Sequence, residues 1–261
     1  MPNKSLQPIA HQRGVALFVV IIFVMLSMLL ALWASRTAWF NEMIVGNDAD
    51  YQRAFEAAQA LLQDAELDIR GEKASGAACT SDSANPNICR KGANVEKFPV
   101  EDPDIGSLLA ELDNLGGARC RHAICAKRTA EQDFWNNSDP NQGVTLAQMQ
   151  GVNNDQSPIG ARYGQYTGAA IGNASNPILA DHTADRGGWY WIEVLPYVSG
   201  SVGDTSALFP DSPTQHATPN LATQVVYRIT TVAHGLKTNT MVVLQQTYAR
   251  HQNSGDLHDD T

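Results

Sequence analysis

The chain has 261 residues, 43% of them hydrophobic and 17% charged, and its 27 acidic against 18 basic side chains leave a net charge of −9. That length suits one sizeable globular core and little more. The acidic balance argues against a protein built to grip phosphate backbones, even with a local basic stretch from Arg119 to Arg128.

Residues 1–14, MPNKSLQPIAHQRG, carry Lys4, Arg13 and His11 and no acidic side chain. Val15 to Ala34 then reads VALFVVIIFVMLSMLLALWA, with no charge at all. At about 1.5 Å of rise per residue such a helix crosses a bilayer core of about 30 Å once. Positive flanks stay cytoplasmic, which places the leader inside and everything beyond Ala34 outside, in the periplasm of a bacterial cell. A secretory signal marks its cleavage site after the apolar stretch; here the marked boundary, Arg13-Gly14, lies before it.

The helical pattern continues through Ser35 to Lys73. Phe55, Ala58, Leu62, Ala65 and Ile69 fall on one stripe, with Glu56, Gln59, Gln63, Asp64, Glu66 and Asp68 on the other faces. Gly46, followed by Asn47 and Asp48, is the expected weak point, a kink or loosened turn. Gly71 to Gly76 stops the helix. Residues 74–99, rich in Ser, Asn, Gly and Pro, read as a surface loop, and Ile105 to Asn114 as a short helix with Leu108, Leu109 and Leu112 on one side. Ala118 to Ala130 reads as strand or turn.

Cys79, Cys89, Cys120 and Cys125 all lie beyond the span, where disulfides form and persist. Of three possible connectivities, Cys79 with Cys89 and Cys120 with Cys125 each close a short loop and are favoured. The competing reading is zinc, with His122 beside Cys120, but the spacings are not of the C-x2-C type.

Trp189 to Val198 reads as a strand whose end Pro196 pushes to an edge. Gly200 to Asn220 reads as an irregular loop. Gln224 to Ala233 and Thr240 to Ala249 form a hairpin around Gly235 to Asn239, and the tail, residues 251–261, reads as disordered. A long N-terminal helix followed by a terminal antiparallel sheet is an α+β arrangement.

The leader ending in Arg13-Gly14, the apolar run opening V-A-L-F and the segment AFEAAQA at residues 54–60 together resemble the class III signal of type IV pilins and pseudopilins. The closing VYRITTVAHGLKTNTMVVLQQTYAR resembles the terminal hairpin of PilX-type minor pilins. The resemblance implies a prepilin peptidase that cuts after Gly14 and methylates the new amino terminus at Val15. It implies a pilin-like head at residues 74–250, storage in the inner membrane, and engagement with an inner-membrane assembly platform. It implies a place at the pilus tip beside other minor pilins, the major pilin and a PilY-type tip adhesin, in support of adhesion and twitching motility. Two positions depart from the family's usual pattern: mature position one is Val15 rather than Phe or Met, and mature position five is Val19 rather than Glu. A carboxylate in the bilayer costs about 2.5 to 3.5 kcal/mol unless it is paired, and in pilins that Glu is thought to pair with a neighbour's amino terminus. Its absence suits the first-placed subunit, which lacks one such neighbour.

Catalytic constellations are absent from the sequence. There is no G-x-S-x-G, H-E-x-x-H, P-loop or G-x-G-x-x-G, and the histidines are scattered. Glu101, Asp102 and Asp104 around Pro103 read as a solvated loop rather than a Ca2+ site, and Trp189, Tyr190 and Trp191 as half core and half surface rather than a stacking platform. The expectation is an assembly component with no active site and no cofactor. Two other classes stay open: a GspK-like pseudopilin of type II secretion, and a periplasmic protein permanently anchored by its uncut leader.

Overall fold

The computed structural model describes residues 13–80, 85–129, 132–172, 176–197, 221 and 223–250, with backbone only at Arg13 and Gly14. Residues 1–12 with Lys4 and His11, the loop at 200–220 and the tail 251–261 lie outside the described residues. The chain forms two compact units, Met1–Ala49 and Asp50–Thr261.

The first unit is the opening part of helix α1 (Arg13–Arg70). In an apolar surround every backbone N–H must find its partner within the segment, so a run rich in Val and Ile is helical there despite their weak propensity. The helix is unbroken through Gly46, so the expected loosened turn is not formed. It stops at Gly71, whose φ of +66° only glycine adopts freely. Gly71 N–H donates to Asp68 O and Glu72 N–H to Leu67 O, which uses two carbonyls that the helix end would otherwise orphan.

The second unit holds the rest of α1 and a five-stranded sheet in the order β1 (Cys120–Arg121), β2 (Ile124–Ala126), β3 (Gly188–Pro196), β4 (Val225–His234), β5 (Met241–Tyr248). All pairings are antiparallel except β2 with β3. The Ala118–Ala130 segment proves to be both strand and turn: β1 and β2 flank His122 and Ala123, whose φ values of 52° and 65° suit a two-residue hairpin turn. The terminal hairpin forms where expected. β3 is central rather than marginal, yet Pro196 is tolerated because β2 reaches only Ile192 to Val194.

Both faces of the sheet are covered along β3 and β4, while β5 keeps Gln245 and Thr247 exposed. Tyr190, Ile192, Val194, Tyr227 and Ile229 face α1 and α2 (Asp102–Asp113), which contribute Ala54, Ala58, Leu61, Ile105, Leu108 and Leu112. Gly188 allows the closest approach, since a Cβ there would lie 2.6 Å from Leu61 Cδ1. Trp189, Trp191 and Val232 point the other way, under Phe134, Ile159 and Met149, the last residue of the short helix α3 (Leu146–Met149).

This double cover corrects two expectations. Trp189, Tyr190 and Trp191 are all buried rather than half exposed. Arg162 lies 3.5 Å from the Trp189 ring centroid, and Trp191 Nε1–H donates to Met149 O at 3.0 Å, so no open stacking platform exists. On α1 the buried face is Ala54, Ala57, Ala58, Leu61, Ala65 and Ile69, with Phe55 and Leu62 only half buried. Asp64 and Asp68, expected on outer faces, are inside. Ala58, Ala65 and Ile69 of the expected stripe are fully buried and Phe55 and Leu62 pack at its edge; what periodicity does not register is the carboxylates beside it, which are stable inside wherever partners meet them.

Candidate functional site

Two features of the chain bear on function: the apolar first part of α1 and the polar ties that hold the head onto its second part.

In the first unit the apolar run has nothing packed on it. Val15 is 61% exposed, Phe18 65%, Leu30 66% and Trp33 69%. The hydroxyls beside this surface are internally satisfied, Ser27 Oγ donating to Phe23 O at 2.6 Å and Thr37 Oγ1 to Trp33 O at 3.0 Å. A helix with no unpaired polar group and no charge from Val15 to Ala34 is at ease in lipid or against other apolar helices. Val19 sits in this surface at 42% exposure. Arg13 and Gly14 are within the helix, so the junction before Val15 is helical backbone.

In the second unit, three aspartates on α1 reach into the head. Asp50 accepts from the backbone N–H of Leu236 (2.9 Å) and Lys237 (3.1 Å) in the β4–β5 turn. A Cβ at Gly235 would lie 2.3 Å from Asp50 Oδ2, so the turn can come this close only with glycine. Asp68 receives Arg90 in a two-pronged pair, Nε to Oδ1 at 2.8 Å and Nη2 to Oδ2 at 2.6 Å, and Tyr190 Oη–H adds a third bond at 3.1 Å. Arg90 also donates to the carbonyls of Glu96 and His122 and stacks on Tyr166 and Phe98. Burial alone would favour its neutral form; Asp68 reverses this and holds the cation above its ordinary range.

Asp64 accepts from Thr167 Oγ1 and from Gly164 N–H at 2.8 Å, but among the described residues no cation pairs with it. Burial is the main reason its carboxyl is pushed up to about 6; its two donors pull the other way and Asp68 adds to the rise. A carboxyl whose folded pKa exceeds its unfolded value near 3.8 favours folding while protonated, and that contribution is lost as pH rises from about 4 through 6. Asp64→Asn, with an oxygen for Gly164 and an amide for Thr167, is expected to flatten this slope. At pH 7 the variant gains about 3 kcal/mol relative to its standing at pH 4, a shift of about two pKa units. Denaturant titrations of both chains across pH 4–7 measure it, and parallel pH profiles would refute it.

The structure joins Cys79 to Cys89 (S–S 2.08 Å) and Cys120 to Cys125 (S–S 2.03 Å), so these sulfurs are not zinc ligands. Loops this short are worth about 2 to 3 kcal/mol each in the chain-entropy account. His122 Nδ1 accepts from Glu96 N–H, and burial beside Arg90 and Arg121 pushes its pKa down to about 4, so it is neutral. Glu101, Asp102 and Asp104 form a helix start rather than a solvated loop. Asp104 Oδ2 takes the N–H of Glu101, and Asp102 Oδ1 takes that of Gln224 at 2.8 Å. Among the described residues no group of three or more His, Cys, Asp or Glu could hold a metal ion. The Arg119–Arg128 stretch is spent on carboxylates: Arg119 on Asp113, Arg121 on Glu96 and Asp155, Arg128 on Glu193.

Sequence reasoning missed Asp50, Asp64, Asp68 and Arg90. One signal was available: Asp64 and Asp68 are like charges at i and i+4, unfavourable on a free surface and therefore a hint of partners elsewhere.

A family model described as the type IV pilus assembly protein PilX C-term matches residues 88–250, and one described as PilX N-terminal matches residues 13–63. No curated protein and no solved structure is matched by the chain.

Proposed function

The chain belongs to the PilX family of type IV pilus assembly proteins and is a minor pilin; from that premise we propose that it helps initiate the pilus and sits in its tip complex. Membership implies contacts with other pilus components and a structural rather than enzymatic role. The partners we assign are the other minor pilins, the major pilin and a PilY-type tip adhesin, with adhesion and twitching motility as the outcome.

One observation supports this reading above all. An uncharged helix surface, exposed from Val15 onward, begins directly after a polar leader that ends in Gly14. In our reading the prepilin peptidase removes residues 1–14 and methylates Val15. Residues 15–34 rest in the inner membrane as a single-pass anchor, and residues 74–250 form the periplasmic head. On extraction by the assembly platform the stem exchanges lipid for neighbouring apolar helices, so contacts are replaced in kind and no charge crosses unpaired. Finding a peptide that begins at Val15 in sheared filaments tests the cut and the placement together.

The absence of a carboxylate at Val19 suits the first-placed subunit. Val19→Glu adds an insertion cost of about 2.5 to 3.5 kcal/mol with no neighbour's amino terminus above it to repay it. Counts of surface pili in a strain carrying only this variant are expected to fall. Wild-type piliation by Val19→Glu would remove position 19 from the account of tip placement.

A further inference from the structure

Beyond Ala34 the large apolar side chains of the first unit gather mainly on one side, with Val45 on the opposite face and Asn47 the polar residue inside the arc. At 3.6 residues per turn, Trp33, Arg36, Trp39, Phe40, Met43 and Ile44 fall within an arc of about 140°, and Ser35, Thr37, Asn41, Glu42 and Asp48 lie outside it. The apolar members stand in the open, Trp39 at 67% exposure, Phe40 at 59% and Ile44 at 65%.

Their height along the helix is informative. Counted from Val15, Trp33 stands about 27 Å and Ile44 about 44 Å along the axis. The hydrocarbon core of a bilayer is about 30 Å thick, or about 40–45 Å with its headgroups. With Val15 at the inner boundary of the core, the outer interfacial layer spans about 30 to 37 Å, so Trp33 lies just below it, Arg36 and Trp39 lie within it, Phe40 stands at its outer edge, and Met43 and Ile44 stand beyond it. Indole rings favour that layer because the ring body is apolar and its N–H needs a polar partner. Arg36 has no ion pair among the described residues, and a guanidinium is the side chain best shaped to take two phosphate oxygens.

We propose that the lower part of this arc, Trp33 to Phe40, is an interfacial collar. Trp33 and Trp39 bracket the depth of the lipid carbonyls from below and above, Phe40 stands at the outer edge of the headgroup layer, and Arg36, between the two indoles, pairs with the phosphate of an anionic lipid. Together they fix how far the stem stands out of the membrane before it is taken into a filament. The collar rests on the reading of Val15–Ala34 as the membrane span, and continues that span's apolar surface.

The test uses the full chain in phosphatidylcholine vesicles, with and without phosphatidylglycerol, containing lipids brominated either near the carbonyls or at the chain ends. Tryptophan emission is expected to be quenched about twofold more by the shallow bromines. W33F/W39F removes most of that quenching, since Trp135, Trp189 and Trp191 belong to the head. Added phosphatidylglycerol increases the shallow quenching in the wild type and not in Arg36→Gln. Stronger quenching at the chain ends overturns the collar. So does an unquenched stem on a chain that still floats with the vesicles, which would give this face to a neighbouring pilin helix. Quenching indifferent to phosphatidylglycerol overturns the Arg36 contact. A chain that fails to float at all overturns the span itself, a separate failure.

Discussion

Asp68→Ala is expected to cost the head about 3 to 5 kcal/mol, because it strands the Arg90 guanidinium inside the protein with its charge uncompensated. Arg90 is 5% exposed and Asp68 6%, so water cannot take the carboxylate's place. The loss is spread over several elements. The pair ties α1 to the 88–98 loop, and through Tyr190 Oη–H and His122 O to β3 and the β1–β2 turn. Against a typical domain stability of about 5 to 15 kcal/mol, such a change leaves a large unfolded fraction and a chain exposed to proteolysis. Urea titration of the detergent-solubilised full chain, followed by the emission of Trp189 and Trp191, gives the number. A second substitution separates charge from packing: D68A/R90M removes the stranded cation and is expected to recover most of the loss. A cost below about 1 kcal/mol for Asp68→Ala alone would mean that the pair is no more than a surface ion pair in its energetics.

Gly14→Leu is expected to have the largest effect in the cell, reducing piliation to the level of a strain lacking the chain. The bulky side chain should block the proposed cut and leave Lys4 and Arg13 on the amino-terminal side of the apolar helix. Placing those cations among packed apolar stems carries a desolvation penalty of several kcal/mol per ion, with no carboxylate in residues 15–34 to offset it. The uncut chain then accumulates in the membrane, heavier by the mass of residues 1–14, with a normally folded head. Mass spectrometry of the membrane fraction, together with pilus counts by microscopy, reads both parts. An uncut chain that restores piliation would overturn the view of the stem as a reusable filament element and leave a permanent tether.

The two substitutions act on features of different legibility. Gly14, Val15 and the uncharged run to Ala34 are local and linear, and hydropathy alone delineates them. The terminal hairpin is similar in kind, because alternation in the strands and Gly235 with Asn239 in the loop specify it within 25 residues or so. The short helix was read from its leucines three residues late. Its true start at Asp102 uses the same acidic side chains that had been read as a solvated loop.

Asp64, Asp68 and Arg90 were not legible, because each one's partner lies 22 or more residues away in sequence. A polar side chain on a helix reads as solvent-facing until the fold delivers a donor to it. The outer cover of the sheet was missed for the same reason. The 118–161 region carries no strong periodic pattern, and only Phe134, Met149 and Ile159 meeting Trp189 and Trp191 reveal it as a second layer.

By itself, then, the sequence determined what depends on neighbours along the chain: a membrane-length stem, the junction before Val15, the α+β order of elements and the turn chemistry of the last hairpin. Tertiary structure alone decided that three aspartates of α1 are buried tie points and that both faces of β3 and β4 are covered. The physical reason is that burial of charge depends on partners brought from distant segments, whereas helix, turn and apolar run depend on spacing over a few residues.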